Sequence, residues 1–359
     1  MNDASLPPGP SSLDRRFLLG GLAGVAGVSA LAALAQGKGP INPPAGAVGS
    51  TGKTLTEVEP RIPLSQANTP GNAANVFYIT QPGSYYLTGN VAVPAGVNGI
   101  GIALAGGVPE NAQVTVDLMG FEIVGGVTGV FVTSAANPRI TVLRNGRIRG
   151  TSGNSINALN GTNAERFSCV IEDIIVTGAG GNGILISGGT VRRCKVDGAN
   201  LTGISVDRPG LIESCIVVGS TNAAFYGGNG DVTVRGCIAA QCQGSGVALN
   251  STGVVEDCQF YSVGLANALG RRSGIYANNR AVIRNNVIDG SPLGVEVVGT
   301  RSLVTGNIVS GATVTPFVLA ANNLYGPIIN LAAVGTAAVN GPSAPSVLTT
   351  SDPNANFVR

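Results

Sequence analysis

Three stretches of the chain share one frame: TVRRCKVDG (residues 190–198), LIESCIVVG (211–219) and TVRGCIAAQ (233–241). In each, an apolar residue is followed three positions later by cysteine and five positions later by another apolar residue. The frame recurs along the chain, and we call the position that cysteine occupies here the ladder position. The ladder positions are Phe121, Gly146, Ile174, Cys194, Cys215, Cys237, Cys258, Asn286 and Asn307.

A second series of short apolar runs keeps the same spacing of about 21 residues, with leading residues that extend from Val130 and Ile156 to Phe317. Each unit carries short β-type runs separated by Gly, Asn or Ser, without a helix-period stripe or a helix start signal. One such unit cannot bury its apolar face alone, whereas stacked units pair each strand with its copy one coil away at about 4.8 Å. The sequence therefore predicts an all-β solenoid with parallel strands.

This pattern resembles the right-handed parallel β-helix of pectate lyases and of many bacterial exported repeat proteins. Leucine-rich repeats have a similar period, but their Leu-rich consensus and regular Asn are not present in this sequence. The resemblance covers roughly residues 76–333 and implies a single-stranded solenoid of about nine to ten coils. It also implies a binding groove along one strand face and its flanking loops.

The first 35 residues have the pattern of an export signal. Arg15 and Arg16 precede an apolar run, 17–35, that ends in the small-residue site Ala33-Leu34-Ala35, and they resemble a twin-arginine signal peptide. We expect cleavage after residue 35, no stable membrane insertion afterwards, and a location in the periplasm, at the cell surface or outside the cell. A retained anchor is the alternative, because 19 apolar residues are just long enough to span a bilayer.

The rest of the chain divides by composition into a linker, a folded domain and a tail. Residues 36–75 are rich in Pro and Gly and predict a linker. Folding is expected over 76–333, where 76–93 contain two alternating β-runs around a Pro-Gly turn and predict a strand pair that caps one end. Residues 334–359 are expected to form a C-terminal tail.

Composition excludes several classes of partner and site. The net charge is only +2 and no run of Lys or Arg exceeds a pair, so nucleic acid is not an expected partner. Histidine is absent, which removes Ser/His nucleophile pairs and the usual zinc ligands. We expect no metal or cofactor. Calcium stays an alternative, although the sequence shows no acid cluster for it.

The cysteines at ladder positions Cys194 to Cys258 are expected to be buried thiols stacked at a coil corner. Disulfides between stacked cysteines are the alternative, because Cα atoms about 4.8 Å apart lie within the range for a bridge. Cys169 and Cys242 lie outside the ladder and receive no predicted role.

Candidate binding residues come from the outward positions of the Val130 to Phe317 series, where strand alternation exposes every second side chain. Tyr226 and Tyr276 lie two coils apart, about 10 Å, which suits stacking on alternate units of an extended sugar chain. The alternative is that these tyrosines only satisfy strand propensity. The remaining candidates are Asn250, Asn278, Arg271, Arg272 and Glu296, the two arginines coming from an inserted loop at 263–274.

These residues favour a non-catalytic role: glycan binding, or a structural module of the cell envelope or surface. The alternative is a lyase or epimerase for uronate-containing polysaccharides, with Arg272 or Tyr276 as base and Glu296 or a bound cation opposite the uronate carboxylate. A hydrolase needs two carboxylates within about 10 Å. Asp207 and Glu296 are four coils apart, about 19 Å, and do not form such a pair.

Overall fold

The computed structural model describes residues 60–104, 112–132, 140–159, 168–266, 271–330, 339–340 and 352–358. These residues form 34 strands in two sheets, and every pairing between strands is parallel. Within these ranges no helix is long and apolar enough to cross a membrane. The prediction of an all-β parallel solenoid is confirmed, and the predicted signal segment lies outside the described residues.

The first sheet contains one strand from each coil and has twelve members, more than the nine to ten coils predicted. Its register pairs the leading apolar residues of the predicted series in every step, for example Ile184 with Ile204 and Val295 with Phe317. The strands are Asn75–Ile79, Asn98–Ile102, Val130–Val132, Ile156–Ala158, Ile184–Ile186, Ile204–Val206, Phe225–Gly227, Val247–Leu249, Ser273–Ala277, Leu293–Val297, Thr315–Leu319 and Val339–Asn340.

The second sheet has 22 strands in two stacks, which are joined because Ile140–Arg149 and Ser168–Ala179 run through both. The other strands of one stack are Ile62–Pro63, Gly83–Tyr86, Gln113–Asp117, Gly189–Arg192, Gly210–Glu213, Val232–Arg235, Gly253–Glu256, Ala281–Arg284, Leu303–Thr305 and Leu324–Tyr325. Those of the other are Val91–Val93, Glu122–Gly125, Lys195–Ala199, Ile216–Val218, Ile238–Ala240, Gln259–Tyr261, Val287–Asp289, Ile308–Ser310, Ile328–Asn330 and Asn356–Val358. A typical coil therefore carries three strands.

A sharp turn separates the two stacks in each coil. The residue before the ladder position lies in the left-handed region there, with φ between 52° and 65°. Such a residue reverses the backbone direction locally, and Asn, Asp and Gly adopt it most readily. The turn residues are Asn145, Asp173, Arg193, Ser214, Gly236, Asp257, Asn285 and Gly306.

The ladder positions from Ile174 to Asn307 are buried, with at most 2% of their surface exposed. All six cysteines are free and buried, which confirms the ladder of packed thiols and not the disulfide alternative. The first predicted member is wrong. The register pairs Leu143 with Val116, not with Leu118, and Leu118 fills the space beside Gly146, while Phe121 is only half-buried.

The structure corrects three predicted boundaries. The predicted linker contains Ile62–Pro63, which pairs with Gly83–Tyr86, and buried Leu64. The predicted capping pair is instead part of an ordinary coil, because 75–79 and 83–86 belong to different sheets. The predicted tail contains Asn356–Val358, which lies between two strands of the second sheet.

An alternation of charge runs along the second sheet, and sequence reasoning did not find it. One register position of this sheet carries an acid in one coil and an arginine in the next, and each arginine pairs with the acid of the preceding coil. In-register parallel stacking places equivalent side chains about 4.8 Å apart, where like charges would repel each other. Alternating acid and arginine replaces this repulsion with attraction. The members are Asp117, Arg144, Glu172, Arg192, Glu213, Arg235, Glu256 and Arg284.

Candidate functional site

The outward positions of the first sheet form one continuous strip, as predicted. Tyr226 pairs in register with Ala248, and Ala248 pairs with Tyr276, so the tyrosines are two coils apart. Ala248 has none of its surface exposed, although its side chain is on the outward side of the strand. The strip consists of Leu185, Ser205, Tyr226, Ala248, Tyr276, Glu296 and Val318.

Arg271 connects the two tyrosines. Its guanidinium carbon lies 4.5 Å from the centroid of the Tyr276 ring, and its Nη2 donates to Oδ1 of Asn250 at 2.7 Å. The Nδ2 of Asn250 in turn donates to the hydroxyl oxygen of Tyr226 at 2.6 Å. The side chain of Arg271 is therefore fixed by a cation–π contact and a hydrogen bond, and four of the predicted residues form one network.

A concave pocket of about 430 Å³ opens beside this network, and we call it the Tyr226 pocket. Its wall is rich in hydroxyl and amide groups, which both donate and accept hydrogen bonds. The pocket spans successive coils, because the residues that line it come from the strands and corners of neighbouring repeats. They are Thr202, Ser205, Asn222, Ala223, Tyr226, Gly244, Ser245 and Arg271.

The predicted catalytic residues Arg272, Tyr276 and Glu296 do not form a network with one another among the described residues. Glu296 Oε2 accepts a short hydrogen bond from the hydroxyl of Ser273, which is buried. Arg272 is exposed, and within the described residues it forms no ion pair or side-chain hydrogen bond with Glu296 or Tyr276. The arginine that contacts Tyr276 and Asn250 is Arg271, whereas Arg272, a predicted base, is not part of this network in the described part of the chain.

Two other predicted features lie at the edges of the site. Asn278 accepts a hydrogen bond from Nδ2 of its neighbour Asn279 at 3.3 Å and makes no side-chain contact with the Arg271 network in the part of the chain that is described. The predicted loop at 263–274 falls partly outside the described residues, which resume at Arg271.

A family model described as the right-handed β-helix region matches residues 128–309, just over half of the chain. The chain belongs to the right-handed β-helix family. The matched range contains every residue of the Tyr226 pocket, so the pocket lies within the β-helix region. No curated protein matches the sequence.

The electrostatic environment of the pocket keeps Tyr226 neutral. Burial raises the pKa of its phenol above the usual value, and nearby Asp207 raises it further, while the charge of Arg271 acts in the opposite direction. A phenol with a raised pKa stays protonated at neutral pH, where it donates and accepts hydrogen bonds. In this β-helix Tyr226 is therefore suited to binding and poorly suited to abstracting a proton.

Sequence reasoning missed most of the pocket wall. Thr202 and Ser245 occupy the position two residues before the leading apolar residue of their strands, and Asn222 lies one residue further upstream. The recurrence of small polar residues two or three positions before the leading apolar residue could have predicted this polar wall from the sequence. Of the lining residues, only Tyr226 and Arg271 are among the candidates that the sequence predicts.

A second depression, of about 370 Å³, lies at the corner that follows these strands, and we call it the Arg280 depression. Asn250 lines it and, through its bonds to Tyr226 and Arg271, joins it to the Tyr226 pocket. Its arginines were not predicted. Among the described residues, no three His, Cys, Asp or Glu side chains are grouped so as to hold a metal ion. The lining residues are Asn250, Ser251, Thr252, Asn279, Arg280, Thr300 and Arg301.

Proposed function

We propose that this β-helix binds an extended glycan along the outward face of its first sheet without turning it over. The proposal rests on the position of Arg271. Its guanidinium is held by Asn250 and Tyr276, and the residue lines the Tyr226 pocket. A guanidinium whose position is already fixed loses little conformational entropy when it binds a ligand. Sugar hydroxyls, ring oxygens and carboxylates all accept hydrogen bonds from such a group.

The pocket wall supports the same class of ligand. The hydroxyl residues Thr202, Ser205 and Ser245 and the amide residue Asn222 line the pocket. Tyr226 adds an aromatic surface with a polar tip, which suits the alternately polar and apolar faces of a sugar ring. Because the pocket spans neighbouring coils, a polymer aligned with the solenoid can contact several repeats at once.

Tyr276 has a different role from the one its sequence position suggested. The guanidinium of Arg271 lies over its ring, 4.5 Å from the centroid, and covers one of the faces on which a sugar could stack. We propose that Tyr276 positions Arg271 and that Tyr226 contacts the glycan. Binding is favoured over lyase or epimerase chemistry because Arg271 lies over the ring of Tyr276, a candidate base, and Glu296 is hydrogen-bonded to Ser273.

The binding test is affinity electrophoresis of the protein in gels that contain polygalacturonate, alginate or a neutral mannan. We expect retardation by at least one polymer, and Arg271→Ala should weaken it by roughly fivefold or more, the equivalent of one charge-assisted hydrogen bond. The matched control is Tyr261→Ala, which removes an exposed tyrosine from the second sheet. Equal migration of wild type and Arg271→Ala in all three gels would leave a structural module as the better proposal.

The catalytic alternative is tested with the same polymers in solution. A lyase creates an unsaturated uronate with ultraviolet absorbance, and an epimerase changes the sugar composition of alginate. We expect neither change. Turnover by the wild type that is lost in Glu296→Gln, with Arg272→Ala as a second variant, would establish the enzyme in place of the binding protein.

We also propose that the protein is exported to the periplasm, the cell surface or the medium. The support is the arrangement of Arg15 and Arg16 before the apolar run 17–35. Fractionation of a bacterium that expresses the full chain should find it outside the cytoplasm, and changing both arginines to lysine should retain it inside. Equal distribution of the two forms would argue against twin-arginine export.

A further inference from the structure

The Arg280 depression carries two arginines on hydrogen-bonded coils. The backbone N–H of Arg280 donates to the carbonyl oxygen of Thr300 at 3.0 Å, so Arg280 lies one coil from Arg301. Both residues are exposed, and both have left-handed backbone angles, with φ of 51° and 64°. Two cationic residues are thus fixed at neighbouring turns of the same corner.

Neither arginine has a carboxylate partner among the residues that the structure describes. Within the described residues, Arg280 and Arg301 form no ion pair and no side-chain hydrogen bond. Elsewhere this chain pairs its stacked arginines with acids, as in Arg192 with Glu172 and Arg284 with Glu256. The depression therefore holds two positive charges that the surrounding residues described here leave unbalanced.

The neutral groups of the depression supply further donors. The amides of Asn250 and Asn279 are already engaged, with Tyr226 and Arg271 in one case and with Asn278 and the Thr300 backbone in the other. The hydroxyls of Ser251, Thr252 and Thr300 make no hydrogen bonds within the described part of the chain and line the same space. The free groups are three hydroxyls and two guanidiniums, which are donors to an anion.

We propose that the Arg280 depression binds a phosphate group. A phosphate monoester or inorganic phosphate carries about 1.5 to 2 negative charges near neutral pH, and its dianion balances the two arginines. Its oxygens accept hydrogen bonds from several directions. A carboxylate carries one charge and offers two oxygens, so it leaves one guanidinium without a partner. Asn250 borders both sites, but Arg280 and Arg301 are not among the proposed glycan contacts, so either proposal can fail without the other.

The first test is calorimetric titration of the full chain with inorganic phosphate at low ionic strength and pH 7.5. We expect saturable binding, weakened at least tenfold by Arg280→Ala or by Arg301→Ala. Arg208→Ala is the matched control, because Arg208 is at an equivalent corner, lies outside the depression and also has no ion pair among the described residues. Absence of saturable binding, or equal affinity in the double variant Arg280→Ala/Arg301→Ala, would overturn the proposal.

Two further titrations test the chemistry. Sulfate, also a tetrahedral dianion, should compete with phosphate, whereas acetate should bind at least tenfold more weakly. Phosphate should also bind more weakly at pH 5.5, where it is mainly a monoanion. Acetate affinity equal to that of phosphate would refute the assignment to a tetrahedral dianion.

The source of the phosphate is distinguished with glucose 1-phosphate. If the natural ligand is a phosphorylated saccharide, this compound should bind more tightly than inorganic phosphate, and Arg271→Ala should abolish the difference. If the ligand is free phosphate, the two affinities should be equal and Arg271→Ala should change neither. Both results support a phosphate site, while tighter binding of unphosphorylated glucose than of either compound would contradict it.

Discussion

The ladder corner changes its chemistry halfway along the solenoid. From Cys194 to Cys258 the buried side chain is a thiol, which donates to backbone carbonyls, as Cys237 does to the carbonyl of Arg235 at 3.3 Å. From Asn286 onward it is an amide, whose Nδ2 donates to the Oδ1 of the next coil, at 2.9 Å between Asn286 and Asn307. The backbone turn is the same in both halves.

The difference lies in what each half requires of its neighbours. A buried amide has two donors and an acceptor, and each must be satisfied by the adjacent coils. The chain does this by placing Asn356 after Asn307, where its Oδ1 accepts from both the backbone N–H and the Nδ2 of Asn307. A thiol is a weak donor that packs like a small apolar group, so the cysteine half depends on packing and the asparagine half on an unbroken hydrogen-bonded series.

The largest predicted effect is a loss of stability at alkaline pH that arises from the cysteine half and Cys169. Burial raises the pKa of Cys169 to about 12 and raises those of Cys237 and Cys242. An unfolded thiol has a pKa of about 8.5, so above that pH the unfolded chain loses the thiol proton while the folded chain keeps it. The free energy of unfolding is therefore unaffected below a pH of about 8.5 and falls above it by about 1.4 kcal/mol per pH unit for each thiol.

Urea unfolding at pH 8, 9 and 10 measures this loss, and the free energy of unfolding should fall increasingly steeply. The variants Cys169→Ala and Cys237→Ala should each remove about one thiol from the slope, that is, about 1.4 kcal/mol per pH unit. Equal stability of the wild type at pH 8 and pH 10 would contradict the burial argument.

The next largest effect is expected from Asn307→Ala in the asparagine half. The substitution removes the oxygen that accepts from the backbone N–H and Nδ2 of Asn286, at 3.1 and 2.9 Å. It leaves two buried donors without partners and should lower the free energy of unfolding by about 3 to 5 kcal/mol in urea titrations. The control Asn229→Ala removes an exposed amide and should cost about 0.5 kcal/mol. Similar losses in both variants would show that the ladder amides contribute no more than surface ones.

A third prediction exchanges the chemistry of the two halves. Cys258 adjoins Asn286, so an amide introduced by Cys258→Asn has the Oδ1 of Asn286 as an acceptor. Cys215 lies between Cys194 and Cys237, where no amide oxygen is available in the ladder. We expect the free energy of unfolding of Cys215→Asn to be lower than that of Cys258→Asn by about 1 to 3 kcal/mol, obtained from urea unfolding curves. If Cys258→Asn were the less stable of the two, the ladder would not depend on continuity.

The sequence predicted the inward half of this architecture better than its ends or its outward face. Alternation and the 21-residue spacing were enough to align Val130 through Phe317 in the first sheet. The ends were missed because Ile62–Pro63 is too short to show alternation, and because Asn356 is 49 residues from Asn307, far outside the repeat spacing.

The outward face was predicted only in part, because strand alternation gives the direction of a side chain but not the path of a loop. Tyr226 and Tyr276 were placed in the correct register, whereas which of the neighbouring Arg271 and Arg272 turns toward them depends on a loop conformation that no period encodes. The charge alternation was available in the sequence two residues before the ladder positions. It was missed because only the apolar positions of each repeat were aligned.

The smallest predicted effect on stability comes from the outward face, and it separates binding from folding. Tyr276→Ala leaves the stacked core intact and should cost about 1 kcal/mol or less, mainly in strand propensity and the contact with Arg271. Ile275→Ala, one residue earlier and fully buried, should cost about 2 to 5 kcal/mol. Polymer retention should respond in the opposite way: it should fall in Tyr276→Ala, which frees Arg271, and persist in Ile275→Ala at temperatures where that variant is folded. If polymer retention instead fell in proportion to the free energy of unfolding in both variants, Tyr276 would contribute only to the fold. Arg271 would then bind the polymer without its contact with the Tyr276 ring.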